Sequence, residues 1–193
     1  MTVLMWRSQL KRRNKMSDYR IACGIPSNGT IKARTFYAIA RMKTPVTVLL
    51  YETCYIHVGR EKLAQQALDG GFTHLLFVDS DMFFEPDALD RLIARDKDIV
   101  GADYNKKDLP LEGTVIGATE EFGKCDGIAT GFLLIKTEVF KKLKHPWFFY
   151  EADENGNCIT GDDMWFCKIA REAGYDVWCD KSIKVFHLGD YYY

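Results

Sequence analysis

Two aspartates, Asp79 and Asp81, close the most apolar run of the chain, "HLLFVDSDMFFEP", with a single serine between them. Like charges this close repel, and neither carboxylate is buried cheaply without a cation or hydrogen bonds. A divalent ion answers both needs, because Mg²⁺ and Mn²⁺ bind through one or two carboxylates together with substrate phosphate oxygens. The triplet reads as a site for a cation holding a diphosphate; the plain alternative is a solvated acidic turn before the helix near Pro86. A second acidic pair, Asp162 and Asp163, opens the helix of "TGDDMWFCKIAREAGY". Thr160 is expected as its N-cap, with Asp163 three residues later completing a capping-box-like arrangement. A carboxylate held rigidly there is also a candidate general base toward a hydroxyl. His187, in "KVFHLGD", is either a structural histidine after an apolar strand or an imidazole that joins the carboxylates around a metal.

The elements that must position these groups alternate. "YRIACGIP", "VTVLLYE", "THLLFVD" and "DIVGADY" read as strands, and "TIKARTFYAIARM", "GREKLAQQALDGG" and "EPDALDRLIARD" as helices between them. Such alternation predicts a parallel sheet with helices on both faces. In the second half "GTVIGA" and "GFLLIK" read as shorter strands, "TEVFKKL" as a short helix, "WFFYEAD" as an extended piece and "DENGN" as a turn. The helix carrying Asp162 and Asp163 follows, then "DVWCD" and the strand of "KVFHLGD". In an open α/β sheet, ligands bind beyond the carboxyl ends of the strands. Asp79 and Asp81 lie there, beyond the third predicted strand.

The chain of 193 residues fits one domain, and its 47% apolar and 13% aromatic content excludes a disordered polymer. No apolar run approaches the roughly 20 residues of a membrane span. Residues 1–17 carry five basic and no acidic residues, which leaves 21 basic against 27 acidic in the remainder. That balance disfavours a large nucleic-acid-binding face. The basic segment 1–17 reads as a flexible tail, with an arm touching an anionic partner as the alternative; it lacks the apolar core of a secretory signal. Residues 18–193 form the expected domain. Six cysteines without C-x-x-C or Cys/His ligand spacing point to free thiols in a reducing cytoplasm.

Taken in order, "FVDSDM", "GIATGFLLIK", "TGDDMWFCKIAREAGY" and "KVFHLGD" resemble the GT-A glycosyltransferases, especially small family-2-like members from bacteria and their viruses, over residues 19–189. The resemblance implies a single GT-A, Rossmann-like α/β domain with a mostly parallel central sheet flanked by helices. It implies a transferase, of the hexosyltransferase class, that moves a sugar from a nucleotide-diphosphate donor, UDP-sugar favoured and GDP-sugar possible, with Mn²⁺ or Mg²⁺. By motif, Asp79 lies near the ribose or metal, and Asp81 and His187 ligate the metal. Pro26 falls in the loop that cradles the base, Glu52 where a base-reading or ribose-reading acid is placed, and Arg60 at a nucleotide-contacting helix start. Gly131, with Gly127 and Ala129, gives small residues beside the donor sugar. Asp163 becomes the base of an inverting enzyme, with Asp162 where the family usually has Glu. "SNG" replaces the common aromatic-Asn sequence after the first strand.

The acceptor stays open among a glycan, a lipid, a protein and a modified nucleic acid, and the implied location is the cytoplasm of a bacterium or of a phage-infected cell. The aromatic stretch "HPWFFYEADENGN" and the terminal "YYY" are either stacking surfaces for sugars or bases, or ordinary core and interface residues. Two rival functions share these residues. A haloacid-dehalogenase-like phosphatase also uses D-x-D and a later acidic pair, but with the nucleophilic aspartate after the first strand. A nucleotide-sugar or glycan-binding module would keep the fold without turnover.

Overall fold

The computed structural model describes residues 19–107, 110 and 112–189. The basic segment 1–17 and the terminal "YYY" lie outside the described residues. β1 (Ile21–Ser27), α1 (Ala33–Ala40), β2 (Thr47–Glu52), α2 (Ile56–Asp69) and β3 (His74–Val78) follow the predicted order, and β4 (Met82–Phe84), α3 (Ala88–Ala94) and β5 (Ile99–Gly101) complete the first half. The helix that holds Arg60 begins three residues earlier than its sequence pattern suggested. It ends where the glycines placed it, with Gly70 as C-cap and Gly71 at φ +65°.

The second half supplies β6 (Phe122–Cys125), β7 (Phe132–Lys136), α4 (Thr137–Lys142), β8 (Glu151–Ala152), β9 (Cys158–Thr160), α5 (Asp162–Glu172), β10 (Val177–Asp180) and β11 (Val185–His187). Seven strands form the central sheet in the order β2-β1-β3-β7-β5-β10-β6. Five share one direction; β7, wedged between β3 and β5, and β6 at the edge run the other way. The sheet is thus mostly parallel in strand direction, as the resemblance implied. "GFLLIK" is apolar at every residue before its lysine, so its pattern marks a strand buried on both faces without giving its direction.

"GTVIGA" is not a strand. Its residues form only isolated bridges, Asn105 with Gly113 and Ile116 with Gly127, and the strand falls later, on "FGKC". The "DENGN" turn is present and joins β8 to β9.

Side chains of β3 alternate between two cores. Leu75 and Phe77 pack with Leu63 and Ala67 of α2, Phe140 of α4 and Phe166 of α5. Leu76 and Val78 pack on the opposite face with Ala38 of α1 and Leu89 and Leu92 of α3. The period of two in the strand thus sets a helix layer on each face, each buried side chain contributing about 1.5–3 kcal/mol. Trp147 and Phe148 belong to the first core, whereas Phe149 and Tyr150 are exposed, so the aromatic stretch divides between packing and surface. All six cysteines are free thiols, and only Cys54 and Cys158 are exposed. Among the described residues no helix is long and apolar enough to cross a membrane.

Candidate active site

The D-x-D leaves the end of β3, and each of its residues is tied by backbone to a different segment. The Asp79 amide donates to the Gly131 carbonyl at 3.1 Å, the Ser80 carbonyl accepts from Lys32 at 2.9 Å, and the Asp81 carbonyl accepts from Leu188 at 2.8 Å. The last bond continues the antiparallel pairing of β11 with β4, in which His187 lies opposite Met82. The short β4 was not expected, yet it carries the late histidine to the aspartate. A D-x-D after the third strand, with Phe83 two positions beyond Asp81, offers no geometric support for the phosphatase alternative.

Arg60 sits on the inner face of α2 with Leu63, Ala64 and Ala67, the spacing that buries one stripe of a helix. Its guanidinium joins the two acidic pairs: Nη1 donates to Asp162 Oδ2 at 2.6 Å, and Nη2 to Asp79 Oδ1 at 3.1 Å and Oδ2 at 3.3 Å. Arg60 and Asp162 are both buried. Burial opposes the charge on Arg60, but Asp79 and Asp162 outweigh it and hold the guanidinium protonated well above its ordinary range. No sequence signal pairs residues 102 positions apart. Arg60 was expected as a nucleotide contact, and in this arrangement both terminal nitrogens bind carboxylates.

The helix start that carries Asp163 differs from the expected cap. Gly161, not Thr160, is the N-cap of α5, and no side chain caps it. The Thr160 hydroxyl instead donates to Glu151 Oε2 at 3.1 Å across the β8–β9 hairpin. Asp162 turns inward to Arg60 and Asp163, only half-buried, accepts from the Met164 amide at 2.8 Å. Burial pushes the Asp163 carboxyl above its ordinary value; Arg60 opposes that shift and Asp162 reinforces it. Tyr150 leans over this corner, and burial followed by Asp162 moves its phenol up to about 12.

Asp81 has a different environment. Its Oδ1 lies 3.3 Å from His187 Nε2, and its Oδ2 is bound by the Lys107 ammonium. Burial works to raise its pKa, but hydrogen bonds from His187 and Lys107 prevail and bring it down to about 2. His187 Nδ1 is buried without a hydrogen-bond partner, and Tyr104 meets the ring edge-on at 5.6 Å. The Tyr104 hydroxyl accepts from the Gly131 amide at 3.0 Å. A Cβ on Gly131 would lie 2.8 Å from Tyr104 Cζ and 3.1 Å from Asp79 Oδ2, so only glycine fits between them. Burial, and next Asp79, push the Tyr104 phenol well up, keeping it neutral.

The structure therefore brings Asp79, Asp162 and Arg60 into one cluster and Asp81 with His187 into a neighbouring one. Among the described residues no group of three His, Cys, Asp or Glu forms a ready-made metal cage. The donor set of Asp81 and His187, one carboxylate and one imidazole, still fits a divalent ion that takes its other ligands from substrate oxygens. Pro26 and Glu52 lie at the adjacent ends of β1 and β2, where Ser27 pairs with Glu52 and the Thr53 amide donates to the Ser27 carbonyl at 2.8 Å. Pro26 is buried and Glu52 exposed. Lys107 and Tyr104 were not singled out from sequence. "ADY" at the end of an apolar strand was the available signal for the tyrosine; the lysine, in "YNKKDLP", had none.

Neither a protein-family model nor a curated protein matches the chain. Solved structures do. Protein A197 from STIV superposes with a TM-score of 0.69 at 22% identity, covering 89% of this chain and 86% of that one. TarS 1-349 of S. aureus, in complex with UDP-GlcNAc, gives 0.62 at 12% identity over 90% of this chain. GalNAc-T7 with UDP, GalNAc and Mn²⁺ gives 0.62 at 11% identity over 89% of this chain. The matches span 60% of the TarS chain and 43% of the GalNAc-T7 chain. At these identities the likeness shows the fold. The chain has the GT-A fold that the order of its motifs led us to expect.

Proposed function

We propose that this protein is a divalent-metal-dependent glycosyltransferase that moves a sugar from a nucleotide-diphosphate donor, UDP-sugar before GDP-sugar, to an acceptor hydroxyl with inversion. The observation that carries the reading is the pairing of Asp81 with His187 at 3.3 Å, next to the β4–β11 strand pair and beside the arginine-locked acids of the same site. The neighbours solved with UDP-GlcNAc and with UDP, GalNAc and Mn²⁺ support the donor class.

Asp81 and His187 would hold the cation, Mn²⁺ or Mg²⁺, and the bound ion supplies positive charge to the departing diphosphate. Arg60 fixes Asp79 at the root of the D-x-D and Asp162 at the root of α5, so that Asp81 and Asp163 project from anchored positions. Asp163 takes the acceptor proton: it is partly solvent-facing, and its raised pKa makes it a better proton acceptor than an ordinary aspartate. Pro26 and Glu52 line the nucleotide side, and Gly131 lets Tyr104 and Asp79 pack directly against its backbone.

Donor hydrolysis across a panel of UDP- and GDP-sugars, with Mn²⁺, with Mg²⁺ and with EDTA, tests the reading. Release of one nucleoside diphosphate that EDTA abolishes is expected. Donor binding without consumption would support the binding-module alternative, and neither binding nor release would leave the D-x-D as an acidic turn.

A further inference from the structure

Both oxygens of Asp81 are engaged by side chains. His187 faces Oδ1, and the ammonium of Lys107 sits on Oδ2. Lys107 reaches there from residues held by backbone bonds. Asn105 bridges to Gly113, the Lys106 amide donates to the Glu112 carbonyl at 2.8 Å, and the Thr114 amide donates to the Tyr104 carbonyl at 3.0 Å. Asp103 Oδ1 accepts from the same Thr114 amide at 2.9 Å, and Gly113 lies so close that a Cβ would stand 2.7 Å from the Asp103 carboxylate. Tyr104, which roots this support, is the residue that backs the His187 ring. The adjacent Lys106 pairs with Glu112 at 3.5 Å, so the two lysines have separate partners and only Lys107 serves the site.

We propose that Lys107 is the internal counter-charge of the donor site: it competes with the divalent cation for Asp81 and, once displaced, binds the donor's diphosphate. This inference rests on the metal reading above. An ammonium on the carboxylate opposes a dication there by like charge, and the Lys107 side chain, 41% exposed, is free to move its head group. A nucleoside diphosphate brings more negative charge than one dication cancels beside a carboxylate, so an ammonium retained nearby completes the neutralisation. The chemical class recognised by Lys107 is thus a diphosphate, and its two partners are used in alternation.

The test is Mn²⁺ binding to donor-free protein, followed by electron paramagnetic resonance, then UDP binding at saturating Mn²⁺. It compares wild type, Lys107→Met, Lys107→Arg and Asp81→Ala, with circular dichroism confirming the fold. Lys107→Met should tighten Mn²⁺ by about two- to fivefold, the size of a partly exposed ion pair, and weaken UDP by about tenfold. Lys107→Arg, which keeps the charge, should stay near wild type in both. Unchanged or weaker Mn²⁺ binding in Lys107→Met, with binding lost in Asp81→Ala, overturns the competition and leaves the metal reading intact. Tighter Mn²⁺ with unchanged UDP overturns the transfer to the diphosphate. Wild-type Mn²⁺ binding in Asp81→Ala overturns the metal reading and this proposal with it.

Discussion

The two acidic pairs of this chain look alike in sequence and divide in the same way in the fold. Asp79 and Asp162 are drawn onto one buried arginine, whereas their neighbours Asp81 and Asp163 remain partly exposed and face histidine, lysine or solvent. In each pair one carboxylate is locked by the arginine and the other is not. The arginine-locked cluster sets position; the His187 and Lys107 environment sets charge. Substitutions should therefore fail in different ways on the two sides.

The largest effect is expected at the lock. Arg60→Met strands two carboxylates, one of them fully buried, and should lower the unfolding free energy by about 3–5 kcal/mol. Denaturant melts would show it, with part of the loss recovered by adding Asp162→Asn. A melt unchanged in Arg60→Met would erase the distinction between the clusters. Asp163→Asn comes next and should act on rate alone: a fall in kcat of about 10²–10⁴-fold with the melt and UDP affinity retained.

A pH–rate profile sharpens the comparison further. As the proposed base Asp163 would work deprotonated, and burial raises its pKa, so the rate should fall as pH drops through a limb lying above the ordinary aspartate range. A limb at or below that range would remove Asp163 as the base. Stability should follow a separate group, His74, at the opposite end of β3 from the D-x-D. Burial, then Lys136, lowers its pKa from 6.5 to about 4. The unfolded chain takes up more protons between those values, so the stabilisation is fully present above 6.5 and is lost as pH falls toward 4. The loss is on the order of 1–3 kcal/mol. His74→Gln should flatten stability across that window without moving the rate limb; a limb that shifts with it would join the two ends of the strand.

Much of this was legible in the residues themselves. Asp79 and Asp81 follow a fully apolar strand, and alternation of β3 fixes which helices cover which face. Illegible were the features set by distant partners. Arg60 meets Asp162 only because α2 and α5 pack against one face of the sheet, and the Thr160 cap gave way because Glu151 across a hairpin takes its hydroxyl. The direction of β7 escaped a pattern that is apolar on both faces, and β4, only three residues long, is defined by its pairing with β11. Lys107 belongs to a support held by backbone bonds that leave no periodic signal.

The most direct test of the division of labour is calorimetric titration of the UDP-sugar that the donor panel selects, with Mn²⁺ present, into Asp81→Ala and Asp163→Asn beside wild type, with turnover followed in the same samples. Asp81→Ala should neither bind nor turn over the donor, whereas Asp163→Asn should bind as wild type does and not turn over. Metal-dependent binding and turnover surviving in both variants would contradict it.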